Sequence, residues 1–299
     1  MNITLDDIFL ILYVWIDDWH RIKYGNKNKV GRPAEMSDSE LLTLMVGMDF
    51  LEFSSERHYV SFLQAHCKSL FPNLLDHSQY NRRTRALGEK LEVLRLELSK
   101  KLHVNDEKYY LIDTTPIIAV GLRRNKSHSD FLGSASFGYC AARRMHYFGY
   151  KLVLSCTLEG IPHQIELIPA NTDEREAADQ ILDLLPEGSV ALGDKGFIGK
   201  DWQKEWKKRG IDFITPARKN QYEQPDVART KSLNGLRERV EGVFKVLKEK
   251  GRSIEHTLAH TVKGLCVRVL SKITSLIAKL FLQRNFGIDV LTFKQINLI

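Results

Sequence analysis

The sequence predicts an α/β protein in which a sheet-bearing part follows an all-α N-terminal domain. Three observations predict it. The first hundred or so residues carry helical spacing and capping signals; the pattern turns strand-like near Asn105; beyond that point the order reads βββ-α-β-α-β-α-α. The expected division is 1–105 for the helical domain and 106–299 for the second domain.

In the helical part, Ile8 to Trp19 reads as a compact apolar helix. A Gly- and cation-rich linker without acidic residues follows, from Arg21 to Pro33. Ser37 and Glu40 have capping-box spacing and open a helix to about Phe50. Ser54 or Ser55 caps the next, to about Cys67. Ser78 starts a third, with Arg82, Arg83 and Arg85 in its first turns, running to about Leu102. Short helices with a cationic start resemble a helix-turn-helix reader of DNA. A plain helical bundle with a solvated charged face accounts for them equally well.

In the second part, Tyr109 to Ile112 is a short apolar strand ending in Asp113. Tyr147 to Leu158 and Ile161 to Ile168 form a hairpin about Glu159-Gly160. Thr172 or Asp173, with Glu176, caps a helix to about Leu185. Ser189 to Leu192 is a strand ending in Gly193-Asp194-Lys195-Gly196. A charged helix spans Lys200 to Arg209, a strand Ile211 to Thr215, and a helix Leu233 to Lys250. The last helix is amphipathic, with Leu258, Val262, Leu265, Val269, Ile273, Leu276 and Leu280 on one side.

Composition narrows the class of partner. The chain has 299 residues, a net charge of +7 and a pI near 9.1. Residues 1–106 hold 14 Lys+Arg against 15 Asp+Glu, and the remaining 193 hold 30 against 22. Attraction for a polyanion is therefore concentrated in the second part. The longest apolar run, Ile8 to Ile16, is too short to span a membrane and lacks the flanks of a signal peptide. Four widely spaced cysteines suit reduced thiols in a cytoplasmic setting. The histidines lack metal-ligand spacing and receive no role.

Asp113 and Asp194 each end a short apolar strand, where a rigidly mounted carboxylate faces a crevice. An Asp at such a place is also a common turn former. On the helix of Leu233–Lys250, Leu233, Leu236, Val240, Val243, Phe244 and Leu247 make one apolar stripe. Arg237, Glu241 and Lys248 lie along its border, within roughly 40° of one another. An i,i+4 Arg–Glu pair on a solvated face is the plain alternative. Three carboxylates suit hard, oxygen-loving Mg²⁺ or Mn²⁺, and two such ions about 3.5–4 Å apart can drive in-line phosphoryl displacement. A haloacid-dehalogenase phosphatase needs an Asp where Thr115 stands, and no P-loop or G-x-G-x-x-G is present.

These motifs resemble those of bacterial insertion-sequence DDE transposases. Leu111-Ile112-Asp113-Thr114-Thr115-Pro116, Asp194-Lys195-Gly196-Phe197 and Arg237-x-x-x-Glu241 with Lys248 carry the likeness. The second is one residue tighter than the family's D-x-x-G-[FY], and Asn234 stands where the third motif has tyrosine. Pro169-Ala170-Asn171-Thr172-Asp173 and Gly31-Arg32-Pro33 also fit the group. The resemblance implies a ribonuclease-H-like mixed sheet flanked by helices. It implies that Asp113, Asp194 and Glu241 are the catalytic, metal-binding triad. It further implies that Arg237 and Lys248 contact DNA, that terminal inverted repeats are recognised, and that a homodimer acts on double-stranded DNA. The setting would be the bacterial cytoplasm and nucleoid, with no membrane partner.

Further DNA contacts are expected from residues 121 to 151. Arg123, Arg124, Lys126, Arg143, Arg144 and Lys151 stand there against the single acid Asp130, interleaved with Phe131, Phe137, Tyr139, Tyr147 and Phe148. This reads as a loop that orders on DNA, or else as a hairpin connection with a solvated face. Arg32 suits a minor groove, although a flexible linker accounts for it as well. Two other readings of the chain use the same residues. One is a ribonuclease-H-like nuclease or resolvase without strand transfer; the other is a binding-only regulator derived from a transposase.

Overall fold

A computed structural model of the chain describes residues 3–25, 34–51, 53–124, 126–216, 227–249, 253–255 and 258–288. Within these it leaves out the side chains of 142, 227–234, 236, 237 and 249. Two compact units result. One comprises Met1–Leu98, Lys250–Ser253 and Cys266–Ile299; the other comprises Ser99–Glu249 and Ile254–Leu265.

The first unit is helical. Helix α1 (Leu5–Tyr24) opens on a capping box the sequence reading missed: Thr4 N donates to Asp7 Oδ2 (2.9 Å) and Asp7 N to Thr4 Oγ1 (3.2 Å). Helix α2 (Asp38–Gly47) opens on the expected Ser37–Glu40 box. It is buried along Leu41–Gly47, and a Cβ on Gly47 would overlap the Phe9 ring of α1. Helix α3 (Glu56–His66) is capped by Ser55.

The expected helix from Ser78 to Leu102 is two helices. Asp76, not Ser78, caps α4 (His77–Ala86), accepting from Ser78 N and Gln79 N. The chain breaks at Leu87, whose N–H reaches back three residues to Thr84 O, and α5 (Gly88–Lys101) follows. A Cβ on Gly88 would lie 3.0 Å from Val267 Cγ2, so the break sits at a close approach.

The second unit is built on a six-stranded sheet. Strand β3 (Met145–Thr157) runs antiparallel to β1 (Tyr109–Val120) on one side. On its other side it pairs first with β2 (Ser136–Cys140) and then with β4 (Pro162–Pro169). The β3–β4 turn is the expected one, with Gly160 at φ +80°, a conformation that suits glycine. Helix α6 (Glu174–Leu182), capped by Asp173, packs on β3 and β4. Strand β5 (Val190–Leu192) then joins β1 in parallel, and β6 (Asp212–Ile214) joins β5 in parallel. Helix α7 (Lys200–Lys208) packs on β6, and α8 (Val227–Glu249) on β1. Read across, β4-β3-β1-β5-β6 is a mixed sheet with flanking helices, of the ribonuclease-H-like kind. Strand β2 is an addition the sequence reading did not foresee.

Helix α9 (Val262–Phe286) departs from expectation twice. Leu258 lies outside it, and from Ser271 to Lys279 it is buried all round rather than on one stripe. Its polar residues find partners in the first unit, to which Cys266 onward belongs. Ser271 Oγ donates to Met45 O (2.7 Å) and Lys279 Nζ to Asp49 O (2.6 Å), while Lys272 Nζ lies 3.6 Å from Asp49 Oδ1. The boundary expected at 105 placed this helix with the sheet; its packing groups it with the N-terminal helices.

Candidate active site

Asp113 was expected at the carboxyl end of its strand. It lies instead inside the twelve-residue β1, opposite Leu154 of β3. What ends near Asp113 is the neighbouring strand. Parallel pairing of β1 with β5 stops at Leu111↔Leu192, beyond which β3 is the strand partner of β1 among the described residues. The side that β5 has left also tolerates Pro116, which has no N–H for a second ladder.

Asp194 follows Leu192 by two residues, as Asp113 follows Leu111. It caps a short 3₁₀ turn, Lys195–Phe197, its Oδ1 accepting from Gly196 N. The two carboxylates thus hold equivalent positions just past the last register pair of adjacent parallel strands. Asp113 Oδ1 accepts from Thr114 N (2.8 Å). Its charge adds to the effect of burial on Cys156, whose thiol is pushed up to about 12.

A further acid, which the sequence reading passed over, stands beside Asp194. Glu174, the first residue of α6, is brought over Gly196. A Cβ there would overlap its carboxylate and lie 2.9 Å from Asp194 Oδ1. Burial raises the Glu174 pKa, and the nearby charge of Asp194 raises it further, with Lys151 opposing. Glu174 directly follows the Pro169–Asp173 segment, which the sequence offers as a helix cap and as part of the family likeness.

Glu241 is exposed on α8. Among the described residues, no three His, Cys, Asp or Glu side chains stand together closely enough to hold a metal ion. The fold therefore aligns the two aspartates and mounts Glu241 on a helix packed against β1, without gathering the three into one group. As a donor set the three are all carboxylate oxygens, which fits a hard divalent cation.

The expected DNA contacts divide. Arg123, Arg124 and Arg144 are exposed, as is Arg82. Lys126 is turned inward as a cap, its Nζ donating to Leu122 O and Arg124 O at 2.8 Å. Arg83 donates to Met36 O (2.6 Å) and pairs with Asp38 (3.0 Å), so it serves the packing of its own unit. Arg85 is partly buried, its Nε without a hydrogen-bond partner among the described residues. Arg143 and Lys248 both reach Glu255. Arg32, the Arg237 side chain and His256 lie outside the described residues. The 121–151 segment is a turn region leading into the β2–β3 hairpin. Of its aromatics, Phe137 and Tyr139 are exposed, whereas Phe131, Tyr147 and Phe148 are buried.

The transposase DDE domain family matches residues 105–278, more than half of the chain, and the chain belongs to that family. No curated protein matches the sequence significantly. Among solved structures, the Mos1 transposase paired-end complex with left transposon end is 15% identical. It covers 76% of this chain and 82% of its own, with a TM-score of 0.24. The Mos1 strand transfer complex is 13% identical, covering 92% and 95%, also at 0.24. Family membership rests on the domain match and not on these loose overlays. Among the described residues, no helix is long and apolar enough to cross a membrane.

Proposed function

We propose that this transposase-family chain is an insertion-sequence enzyme that cuts double-stranded DNA at its element's terminal inverted repeats and joins the freed ends to target DNA. The observation that carries the reading is the matched placement of Asp113 and Asp194 past Leu111↔Leu192. Two half-buried carboxylates, one on a strand and one just past the end of its neighbour, are suited to phosphodiester chemistry.

Asp113, Asp194 and Glu241 are the residues assigned to hold two Mg²⁺ or Mn²⁺ ions. When bound, such ions stabilise both the attacking and the leaving oxygen of an in-line displacement. Asp113 supplies a rigid ligand from mid-strand, Asp194 one held by its own turn, and Glu241 one delivered by α8. Arg143 and Lys248, with the exposed Arg123, Arg124 and Arg144, are assigned to the phosphates of the strand. Arg237 is assigned with them from its motif, and Arg82 and Arg32 to the flanking duplex. The helical part, residues 1–105, is assigned to recognition of the ends. A homodimer on DNA, in the bacterial cytoplasm and nucleoid, completes the proposal.

The test is cleavage of duplexes carrying the DNA that flanks the gene, in Mg²⁺. Asp113→Asn, Asp194→Asn and Glu241→Gln are each expected to lower cleavage by at least ~10²-fold while DNA binding persists, since even outer partners of metal ligands cost ~10–100-fold. Full cleavage by any one variant removes that residue from the triad. Scoring joined products separates a transposase from a nuclease that stops at the cut.

A further inference from the structure

After Leu111, the side of β1 that β5 has left is met by another segment. Ile118 N donates to Glu255 O (3.3 Å), which fixes the Glu255 backbone along that edge. The Glu255 side chain is only 4% exposed, and three elements converge on its carboxylate. Thr115 Oγ1 of β1 lies 3.3 Å from Oε1, Lys248 Nζ of α8 lies 3.1 Å from Oε1, and Arg143 Nη2, in the β2–β3 turn, lies 2.5 Å from Oε2.

Burial is unequal across this cluster. The carboxylate is covered, whereas the Arg143 and Lys248 side chains are 38% and 28% exposed. A guanidinium has five N–H donors and an ammonium three, so one carboxylate uses only part of them. Lys248 also lies 5.3 Å from the centre of the Phe244 ring. Two long, flexible cations are therefore ordered before any DNA arrives, with donors to spare. The entropy cost of holding them is met in folding rather than in binding.

The cluster stands close to the candidate triad. Thr115 is two residues from Asp113 on the same face of β1, about 6.6 Å along the strand. Lys248 is seven residues from Glu241 on α8, about 10.5 Å along the helix and about 20° off the same line. At about 3.4 Å of axis per nucleotide, these offsets equal the span of two to three nucleotides.

We propose that Glu255 is a positioning residue for DNA: a buried carboxylate that pre-orders Arg143 and Lys248 to receive strand phosphates beside the catalytic carboxylates. It rests on the reading of the chain as a DNA-cutting enzyme. The proposal opposes simple charge counting. An anion close to a phosphate strand repels it, so its removal should tighten binding if charge alone mattered.

The test uses the full chain and a labelled random-sequence duplex of about 30 base pairs, with affinity read from about 50 to 200 mM salt. Glu255→Gln is expected to weaken binding about tenfold, by analogy with the outer partners of ligands. It should also flatten the salt slope by about one to two phosphate contacts. Asp201→Asn, an equal charge change at an exposed site on α7, should bind as tightly as the parent or tighter. Thr115→Val should shift binding in the same direction as Glu255→Gln, by less. In an Arg143→Ala/Lys248→Ala background, Glu255→Gln should cost nothing further.

Equal or tighter binding by Glu255→Gln overturns the proposal, as does an undiminished loss in the double-alanine background. Should Glu255→Gln not fold, Thr115→Val decides: unchanged affinity overturns it. If Arg143→Ala/Lys248→Ala binds like the parent, these cations are not DNA contacts, and the proposal falls with that assignment. If the double variant weakens binding and Glu255→Gln does not, the assignment stands and only the positioning role falls.

Discussion

Leu111 and Leu192 are the last register partners of the parallel strands β1 and β5, and each is followed two residues later by an aspartate. The geometry separates two ways of mounting a carboxylate. Asp113 stays in an extended strand held by β3, while Asp194 turns out of the sheet and caps its own turn over Gly196. One is fixed by the sheet and the other by three residues of local structure.

Gly196→Ala tests how much that local structure matters. Its Cβ would overlap the Glu174 carboxylate and crowd Asp194, both movable side-chain ends. Stability should change by less than ~1 kcal/mol, as for most substitutions away from core features. Cleavage should fall about tenfold or more, because Asp194 would be displaced. Thermal unfolding and an end-cleavage assay on the same preparation check both halves.

Glu174 gives a pH dependence with a definite sign. Burial, then the charge of Asp194, raises its folded pKa above the unfolded value. Below the unfolded pKa the carboxyl is protonated in both states and costs nothing. As pH rises through the unfolded and then the folded pKa, stability is lost. Glu174→Gln should therefore melt higher than the parent at pH 7 in chelator, and the difference should vanish near pH 4. Equal melting at both pH values would refute the assignment.

Gly149 sits where β3 passes the irregular pairing of β1 between Ile118 and Val120. A Cβ there would overlap the Ile117 carbonyl oxygen and lie 2.8 Å from Ala119 N, both backbone atoms that cannot rotate away. Gly149→Ala should cost ~2–4 kcal/mol, at the high end for overpacking. Urea unfolding measures it.

In the helical unit, Asp49 answers two buried lysines: its backbone carbonyl accepts from Lys279, and its carboxylate lies 3.6 Å from Lys272. Asp49→Ala removes the carboxylate facing Lys272, which is itself buried. Breaking one side of a buried pair costs ~3–5 kcal/mol. Asp49→Asn should cost less, and denaturant midpoints for the two variants give the comparison.

Several features were legible in the linear sequence because they are local. The Ser37–Glu40 box, the Gly160 turn, the Asp173 cap and the alternation of strands and helices each depend on neighbours a few residues away. The aspartates of β1 and of the β5 turn were legible for the same reason, as was the family's spacing of Glu241 and Lys248. Other features depended on distant residues. Gly88 is only a weak local stop signal, and the sequence does not show that Val267 approaches the chain there. The stripe on α9 could not show that its polar residues would be buried too, since Ser271, Lys272 and Lys279 are answered by residues more than two hundred positions away. Glu174 and Glu255 were passed over because each gains its surroundings from another element, Glu174 from the Gly196 turn and Glu255 from β1, α8 and the β2–β3 turn. Local chemistry thus determined which elements form and which acids end or line them. Only the tertiary structure decided which charges meet, because a carboxylate's partners are set by strand register and helix packing.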